Sequence, residues 1–153
     1  MRSMTRQSAL GFTFALTLLG GCRDITGSTV AQLASARERW AANGPASYDF
    51  TISLSCFCAT DALRPVVVVV NNGVVQSRKY ADTGADVSPP FSKAYSPIEE
   101  LFGIVEDAQA RNAAQLDVTY DPARGYPASI DIDYVAMAVD DEISYSVRDF
   151  HVR

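Results

Sequence analysis

The feature that most constrains the fold of this chain is a two-residue alternation of apolar and polar side chains. It is clearest over residues 48–56, where Tyr48, Phe50 and Ile52 alternate with aspartate, threonine and serine. This period is typical of a strand with one buried and one solvated face. The same alternation returns in segments 116–120, 130–134 and 143–147. We therefore expect an antiparallel sheet that buries one of its faces.

Two further strands are predicted on either side of Asn71-Asn72-Gly73. The strand before this turn consists of five consecutive valines, 66–70, and the strand after it covers 74–80. Asparagine and glycine readily adopt the positive φ angles of a tight turn. A hairpin is expected here, with its first strand inside the sheet.

Two helices are predicted, one at the start of each half of the chain. The first begins after a capping residue at Ser28 or Thr29, and Ser96-Pro97-Ile98-Glu99 reads as a capping box that opens the second. The apolar positions of the first helix are Val30, Leu33, Ala34, Arg37 and Trp40. Those of the second are Ile98, Leu101, Phe102, Val105 and Ala108.

These elements predict an α+β fold, an antiparallel sheet of about six strands with both helices on one face. Their order is αβββαβββ, because each helix precedes three strands. Segments 48–52 and 116–120 also share an apolar-Asp-apolar-Thr-apolar pattern. That pattern leaves open a duplicated αβββ unit.

The N-terminal segment is typical of an export signal. Arg2 and Arg6 precede an uncharged, apolar run over residues 9–19, and Leu19-Gly20-Gly21-Cys22 resembles a bacterial lipobox. The run is shorter than the roughly 20 apolar residues of a membrane span. An ordinary cleaved signal and an uncleaved anchor are the weaker interpretations.

The lipobox predicts a lipoprotein signal peptide at 1–21, a lipidated tether at 22–28 and one α+β domain at 29–153. Cys22 is the predicted lipidation site, and its acyl chains are the only membrane contact that we expect. The protein is predicted to be exported and anchored to the cell envelope. If the source has two membranes, Arg23 after the lipidated cysteine favours the outer membrane, facing the periplasm.

Three cysteines are an awkward number for an exported chain, because one thiol is left over. If Cys22 carries lipid, Cys56 and Cys58 remain as a pair, for which an oxidising compartment favours a disulfide. Both are in phase with the inward side chains of their strand, which predicts buried and inert sulfurs. Thiol-disulfide redox activity is the alternative function, and a metal site lacks ligands, since the only histidine is the distant His151.

Acidic residues form the second candidate site. Removal of residues 1–21 takes away two arginines and lowers the net charge from −5 to −7. An acidic domain repels phosphates, so nucleic-acid binding is excluded. Five carboxylates near the C-terminus are candidates for a binding face: Asp131, Asp133, Asp140, Asp141 and Glu142. Solubility and turn formation explain them more simply, and the spacing fits neither a calcium loop nor a catalytic motif.

Several of these segments, in this order and spacing, together resemble the bacterial family called domain of unknown function 6174. The resemblance rests on Trp40, Tyr48-Asp49-Phe50, Cys56-Phe57-Cys58, the Val-rich hairpin with Gly73, Pro97-Ile98-Glu99-Glu100-Leu101-Phe102, Tyr120-Asp121, Gly125-Tyr126-Pro127, Ile130-Asp131-Ile132-Asp133 and Asp140-Asp141-Glu142. It implies an exported or lipid-anchored α+β domain and brings no assigned activity. We expect a non-catalytic binding or accessory module without cofactor or metal, with an unidentified protein or small-molecule partner.

Overall fold

The computed structural model describes residues 25–138 and 140–153. Cys22 and the predicted signal peptide therefore lie outside the described residues. The helices and strands are α1 Ile25–Asn43, β1 Tyr48–Cys56, β2 Val66–Asn71, β3 Val74–Tyr80, α2 Pro89–Ser92, α3 Ile98–Ala110, β4 Gln115–Tyr120, β5 Pro127–Asp133 and β6 Ile143–Val152. A short 3₁₀ turn, Thr60–Leu63, follows β1.

The six strands form one antiparallel sheet in the order β3-β2-β1-β6-β5-β4. Tyr48, Phe50 and Ile52 of the central strand β1 are fully buried, as the alternation predicts. Leu33 of α1 and the apolar side of α3 join them in one core, so both helices cover the same face. The predicted α+β class, strand number and helix placement are confirmed.

The two segments with a shared sequence pattern occupy different places in the sheet. β1 is central and its apolar side chains are buried, whereas β4 lies at the edge and alternates between exposed and half-buried positions. The first triplet of strands therefore runs from the centre to an edge, and the second from an edge to the centre. The sheet order gives a simple duplication no support.

The first helix begins earlier than its predicted cap, and its buried face is slightly rotated from the predicted one, with Leu33 and Trp40 common to both. α1 starts at Ile25, so Ser28 and Thr29 lie within it. Leu33 and Ala36 are buried, whereas Val30 is 50% exposed and Ala34 is exposed. Ala34 and Ala36 fit the apolar side of this helix about equally well in the sequence. Packing against the sheet buries Ala36 and leaves Ala34 exposed.

The second long helix has the predicted apolar stripe without the predicted capping box. All five stripe residues are buried, with Ile98, the first residue of α3, among them. Pro97 precedes the helix and Ser96 is buried without capping it. The Glu99 carboxylate instead accepts a hydrogen bond from the hydroxyl of Tyr48 at 2.7 Å. Glu99 thus bonds to a residue of the sheet, and not to the backbone at the start of its own helix as a capping box requires.

Two irregularities agree with the sequence. The sequence predicts a bulge near Arg148 or Asp149, because Phe150 and Val152 are out of phase with the earlier apolar residues of β6. The structure confirms it: Asp149 has a positive φ of 52°, and the pairing of β1 with β6 shifts register between Asp49 and Thr51. The Asp121 carboxylate accepts hydrogen bonds from the backbone N–H groups of Ala123 and Arg124, which closes the turn after β4.

One of the two sheet edges is covered. The connection over residues 82–94 contains the short helix α2, and its early part lies beside β3, where the N–H of Val87 donates to the carbonyl of Arg78 at 3.0 Å. Within the described parts of the chain, no helix combines the length and apolar character needed to cross a membrane.

Candidate functional site

The two cysteines after β1 lie at disulfide-bonding distance. Their sulfurs are 2.00 Å apart and their Cα atoms 5.2 Å apart, and the N–H of Cys58 donates to the carbonyl of Cys56 at 2.9 Å. Cys58 is exposed and Cys56 half-buried, so the expected burial of both sulfurs is wrong. The strand ends at Cys56 and the chain turns, so alternation no longer decides which way Cys58 faces.

Phe57 lies between these cysteines and is 81% exposed. Beside it is a shallow depression of about 310 Å³. The depression is lined by Ser55, Cys56, Phe57, Asp140, Glu142 and Ser144. An aromatic side chain and two carboxylates thus lie together at this end of the sheet.

The five candidate carboxylates are divided among three environments. Asp131 lies on the helix-free face of the sheet, opposite Asp117 of β4. Asp133 and Asp141 both accept a hydrogen bond from the N–H of Val135, at 3.0 and 2.7 Å. The remaining two, Asp140 and Glu142, border the depression beside Phe57. Among the described residues, no three acidic, cysteine or histidine side chains are placed to bind a metal.

Tyr134 holds the start of the β5–β6 loop against α3. Its hydroxyl donates to the Asp107 carboxylate at 3.4 Å, and the guanidinium of Arg111 lies 4.0 Å from its ring centre. Burial raises the pKa of Tyr134, and the negative charge of Asp107 raises it further. The hydroxyl is therefore neutral at physiological pH, and this tyrosine has a structural role.

Small hydroxyl side chains cover the helix-free face. Paired residues of β1, β6, β5 and β4 form two rows across the sheet. The rows are Ser53-Ser146-Ser129-Thr119 and Ser55-Ser144-Asp131-Asp117. This surface is flat and polar, so it offers hydrogen bonds without an enclosing pocket.

A deeper concavity of about 440 Å³ lies where the start of α1, the end of α3 and the start of β4 meet. Its lining consists of Thr29, Ala108, Gln109, Asn112, Ala113, Ala114, Gln115, Leu116 and Asp117. The side-chain amide nitrogen of Gln109 is buried and has no hydrogen-bond partner among the described residues. Gln115 donates to the Asp117 carboxylate at 2.7 Å.

The sequence did not reveal this concavity. Its polar side chains are amides near a helix end, and such residues are ordinarily solvated. Only the tertiary arrangement brings Thr29 beside residues that follow it by some eighty positions.

The sequence favours an exposed His151 on the last strand and packing of Tyr126 and Tyr134 against the core, and the structure confirms these predictions. His151 is exposed and its Nδ1 lies 3.3 Å from the Asp49 carboxylate. Tyr126 packs inside the protein, because its ring stacks on Phe150 at 4.8 Å and meets Trp40 edge to face.

Fold and site together define a two-layer α+β domain with an amide-lined concavity and an exposed phenylalanine, Phe57, at one end of the sheet. Residues 32–152 match the model of the family of unknown function DUF6174. The match covers most of the chain, which therefore belongs to this family, as the motifs predict. No curated protein and no solved structure matches the chain.

Proposed function

We propose that this chain is a lipid-anchored protein of the cell envelope that acts as a non-catalytic binding module. The anchor is supported by Leu19-Gly20-Gly21-Cys22 and the apolar run before it. In a bacterium with two membranes, Arg23 favours the periplasmic side of the outer membrane. Since α1 begins at Ile25, only two residues separate the first helix from Cys22.

The binding role rests on one observation. The concavity of about 440 Å³ contains Gln109, whose side-chain amide nitrogen has no hydrogen-bond partner among the described residues. Small-molecule sites are mostly concave, of roughly 300 to 1,000 Å³, and use a few polar groups to orient the ligand. A buried N–H without an acceptor is costly. The Gln109 nitrogen is covered in the ligand-free protein, so a shift of this side chain towards the concavity brings the N–H to an acceptor oxygen of the ligand and supplies the missing hydrogen bond. The ligand class is a small neutral molecule that carries a carbonyl or hydroxyl oxygen.

Metabolic labelling with a fatty-acid analogue tests the anchor. The wild-type chain is expected to carry the label and to fractionate with membranes, whereas Cys22→Ala is expected to lose both properties. Cys58→Ser is the matched control, because it removes a different cysteine and should keep the label. Label that persists on Cys22→Ala would reject the anchor.

The binding role is tested with N-methylacetamide, a neutral probe with one carbonyl acceptor. Saturable shifts are expected in the side-chain amide NMR signals of Gln109, Asn112 and Gln115. Gln76 of β3 is the control, because its amide donates to the carbonyl of Val74 outside the concavity. Equal shifts at Gln76, or none at Gln109, would contradict a site here.

A thiol-disulfide redox protein is the second candidate function, and the exposure of Cys58 favours it. An accessible sulfur can be attacked by a partner thiolate, which is the first step of exchange. A reduction potential near those of known oxidoreductases, about −120 to −270 mV, would support this function. A potential below about −300 mV would reject it, since inert structural bridges have such values.

A further inference from the structure

The two most exposed large apolar side chains, Phe57 and Met137, lie at one end of the sheet, whereas the opposite end exposes the smaller Val74 and Val152. Phe57 follows β1 and is 81% exposed, while Val135 and Met137 of the β5–β6 loop are 59% and 97% exposed. We call these three residues the apolar tip. Tyr134, beside Val135 in sequence, packs on α3, so the start of the loop is fixed to the body of the domain.

The strand register shows that the apolar tip lies at a single end of the sheet. Cys56, Ile143, Ile132 and Leu116 pair in turn across β1, β6, β5 and β4, and so form one row. Phe57 is one residue beyond this row, and Val135 is three residues beyond it. We call this end of the sheet the Cys56 end and the opposite one the Tyr48 end.

Helix α1 begins at the Cys56 end. Thr29 borders the concavity together with Leu116, which belongs to the same row. Trp40, near the other end of α1, contacts Tyr48 at the Tyr48 end of the sheet. Ile25 is one helical turn before Thr29, about 6 Å further along the axis. Cys22, the predicted lipid-bearing residue, lies three positions before Ile25 in the sequence.

We propose that the apolar tip adds a second membrane contact to the lipid expected from the sequence, and docks onto the surface of the bilayer that holds the lipid of Cys22. This inference rests on the proposed lipid anchor, which places the bilayer at the same end of the domain as the tip. Strands are about 4.8 Å apart, so β1 and β4 are separated by only about 14 Å across the sheet. Apolar side chains of this kind enter the headgroup boundary of a membrane.

The local turn presents Phe57 outward. The hydrogen bond from Cys58 to Cys56 and the close approach of their sulfurs hold the three-residue segment in a tight turn. A backbone turn that is already ordered loses little freedom on docking. Asp140 and Glu142 lie beside Phe57, so the tip favours zwitterionic over anionic headgroups.

In this orientation the strands run away from the membrane. The Tyr48 end, with Trp40 beside it, then lies furthest from the lipid. The helix-free face and the β4 edge remain accessible to a partner.

Quenching of tryptophan fluorescence by brominated acyl chains tests the docking. The full acylated chain is reconstituted in phosphatidylcholine vesicles with a new tryptophan at the tip, in Phe57→Trp or Met137→Trp. Val74→Trp is the matched control, because Val74 is 60% exposed and lies at the Tyr48 end. The native Trp40 gives the same background in all three variants.

Both tip variants are expected to be quenched more than the control, by roughly twofold or more, because the bromines lie within the acyl region that the tip approaches. Phosphatidylglycerol should weaken this difference at low salt, because it repels the carboxylates beside Phe57. Equal quenching of tip and control variants in acylated, vesicle-bound protein would overturn the docking alone. Protein that carries no acyl group by mass would overturn both the docking and the proposed anchor.

Discussion

The hydroxyl of Tyr48 donates a hydrogen bond to the Glu99 carboxylate at 2.7 Å and accepts one from the N–H of Ile98 at 3.3 Å. These bonds connect the central strand β1 with the first turn of α3. The N–H groups of a first helical turn lack partners within the helix, so a buried hydroxyl that accepts one of them takes the place of a cap. Tyr48 thereby fixes where α3 starts on the sheet.

Tyr48→Phe is expected to lower the free energy of unfolding by about 1 to 3 kcal/mol, because it leaves the buried N–H of Ile98 without an acceptor and removes the bond to Glu99. Tyr120→Phe is the matched comparison. The Tyr120 hydroxyl is buried and has no partner among the described residues, so its removal should be neutral or stabilising. Urea unfolding measures both, and equal losses in the two variants would contradict the account.

Alkaline pH should destabilise the fold through these same tyrosines. Burial raises the pKa of Tyr48, with help from Glu99, and burial raises the pKa of Tyr120 to about 12. A phenol has a pKa of about 10 in the unfolded chain, so its full contribution is present below that pH and is lost as the pH rises towards the folded value.

We therefore expect the free energy of unfolding to fall between about pH 9.5 and about pH 11.5. The double variant Tyr48→Phe with Tyr120→Phe should show a smaller fall over the same range. Urea titrations at several pH values measure both slopes, and identical slopes would be evidence against the buried phenols as the cause.

Gly125 allows the turn after β4 to pack against α1. Its φ is +85°, and a Cβ there would lie 2.8 Å from the Cβ of Arg39 and would also meet the carbonyl of Ala36. Gly125→Ala should therefore cost about 3 kcal/mol or more, from backbone strain and overpacking together.

Gly73→Ala is the control, because its φ is +73° and a Cβ there meets nothing within 4 Å. Backbone strain alone predicts a loss of about 1 to 2 kcal/mol for that variant. Thermal and urea unfolding compare the two, and a larger loss at Gly73 would show that the contact with α1 is unimportant.

The Cys56 and Cys58 pair should add little to global stability. It closes a very short loop, so the chain-entropy model gives about 1 to 2 kcal/mol. The Cys56→Ser, Cys58→Ser double variant should unfold cooperatively at a slightly lower urea concentration. In the unreduced wild-type domain, an alkylating reagent should leave both cysteines unmodified, because their sulfurs are bonded to each other. A loss above about 4 kcal/mol would assign the pair a larger role than its loop length explains.

Local patterns predicted most of the fold. The alternation in β1, the Asn72-Gly73 turn and the apolar stripe of α3 each come from neighbouring residues, and each is present in the structure. Features that depend on distant partners were not predictable. Glu99 binds Tyr48 rather than its own helix end, and packing on the sheet decides between Ala34 and Ala36.

The candidate site shows the same division. The closeness of Cys56 and Cys58 follows from their spacing, but the exposure of Cys58 depends on where strand pairing stops. The concavity at Gln109 was hidden, because Thr29 approaches it only in the folded chain. The five candidate carboxylates were grouped in the sequence only by their charge, and the fold places them in three separate environments.

The intact mass of the protein isolated from membranes tests the central claim most directly. The account predicts a chain that begins at Cys22, lacks residues 1–21 and carries a diacylglyceryl group on that cysteine, with or without a further acyl chain. A chain that retains residues 1–21, or one that begins at an unmodified Cys22, would contradict it.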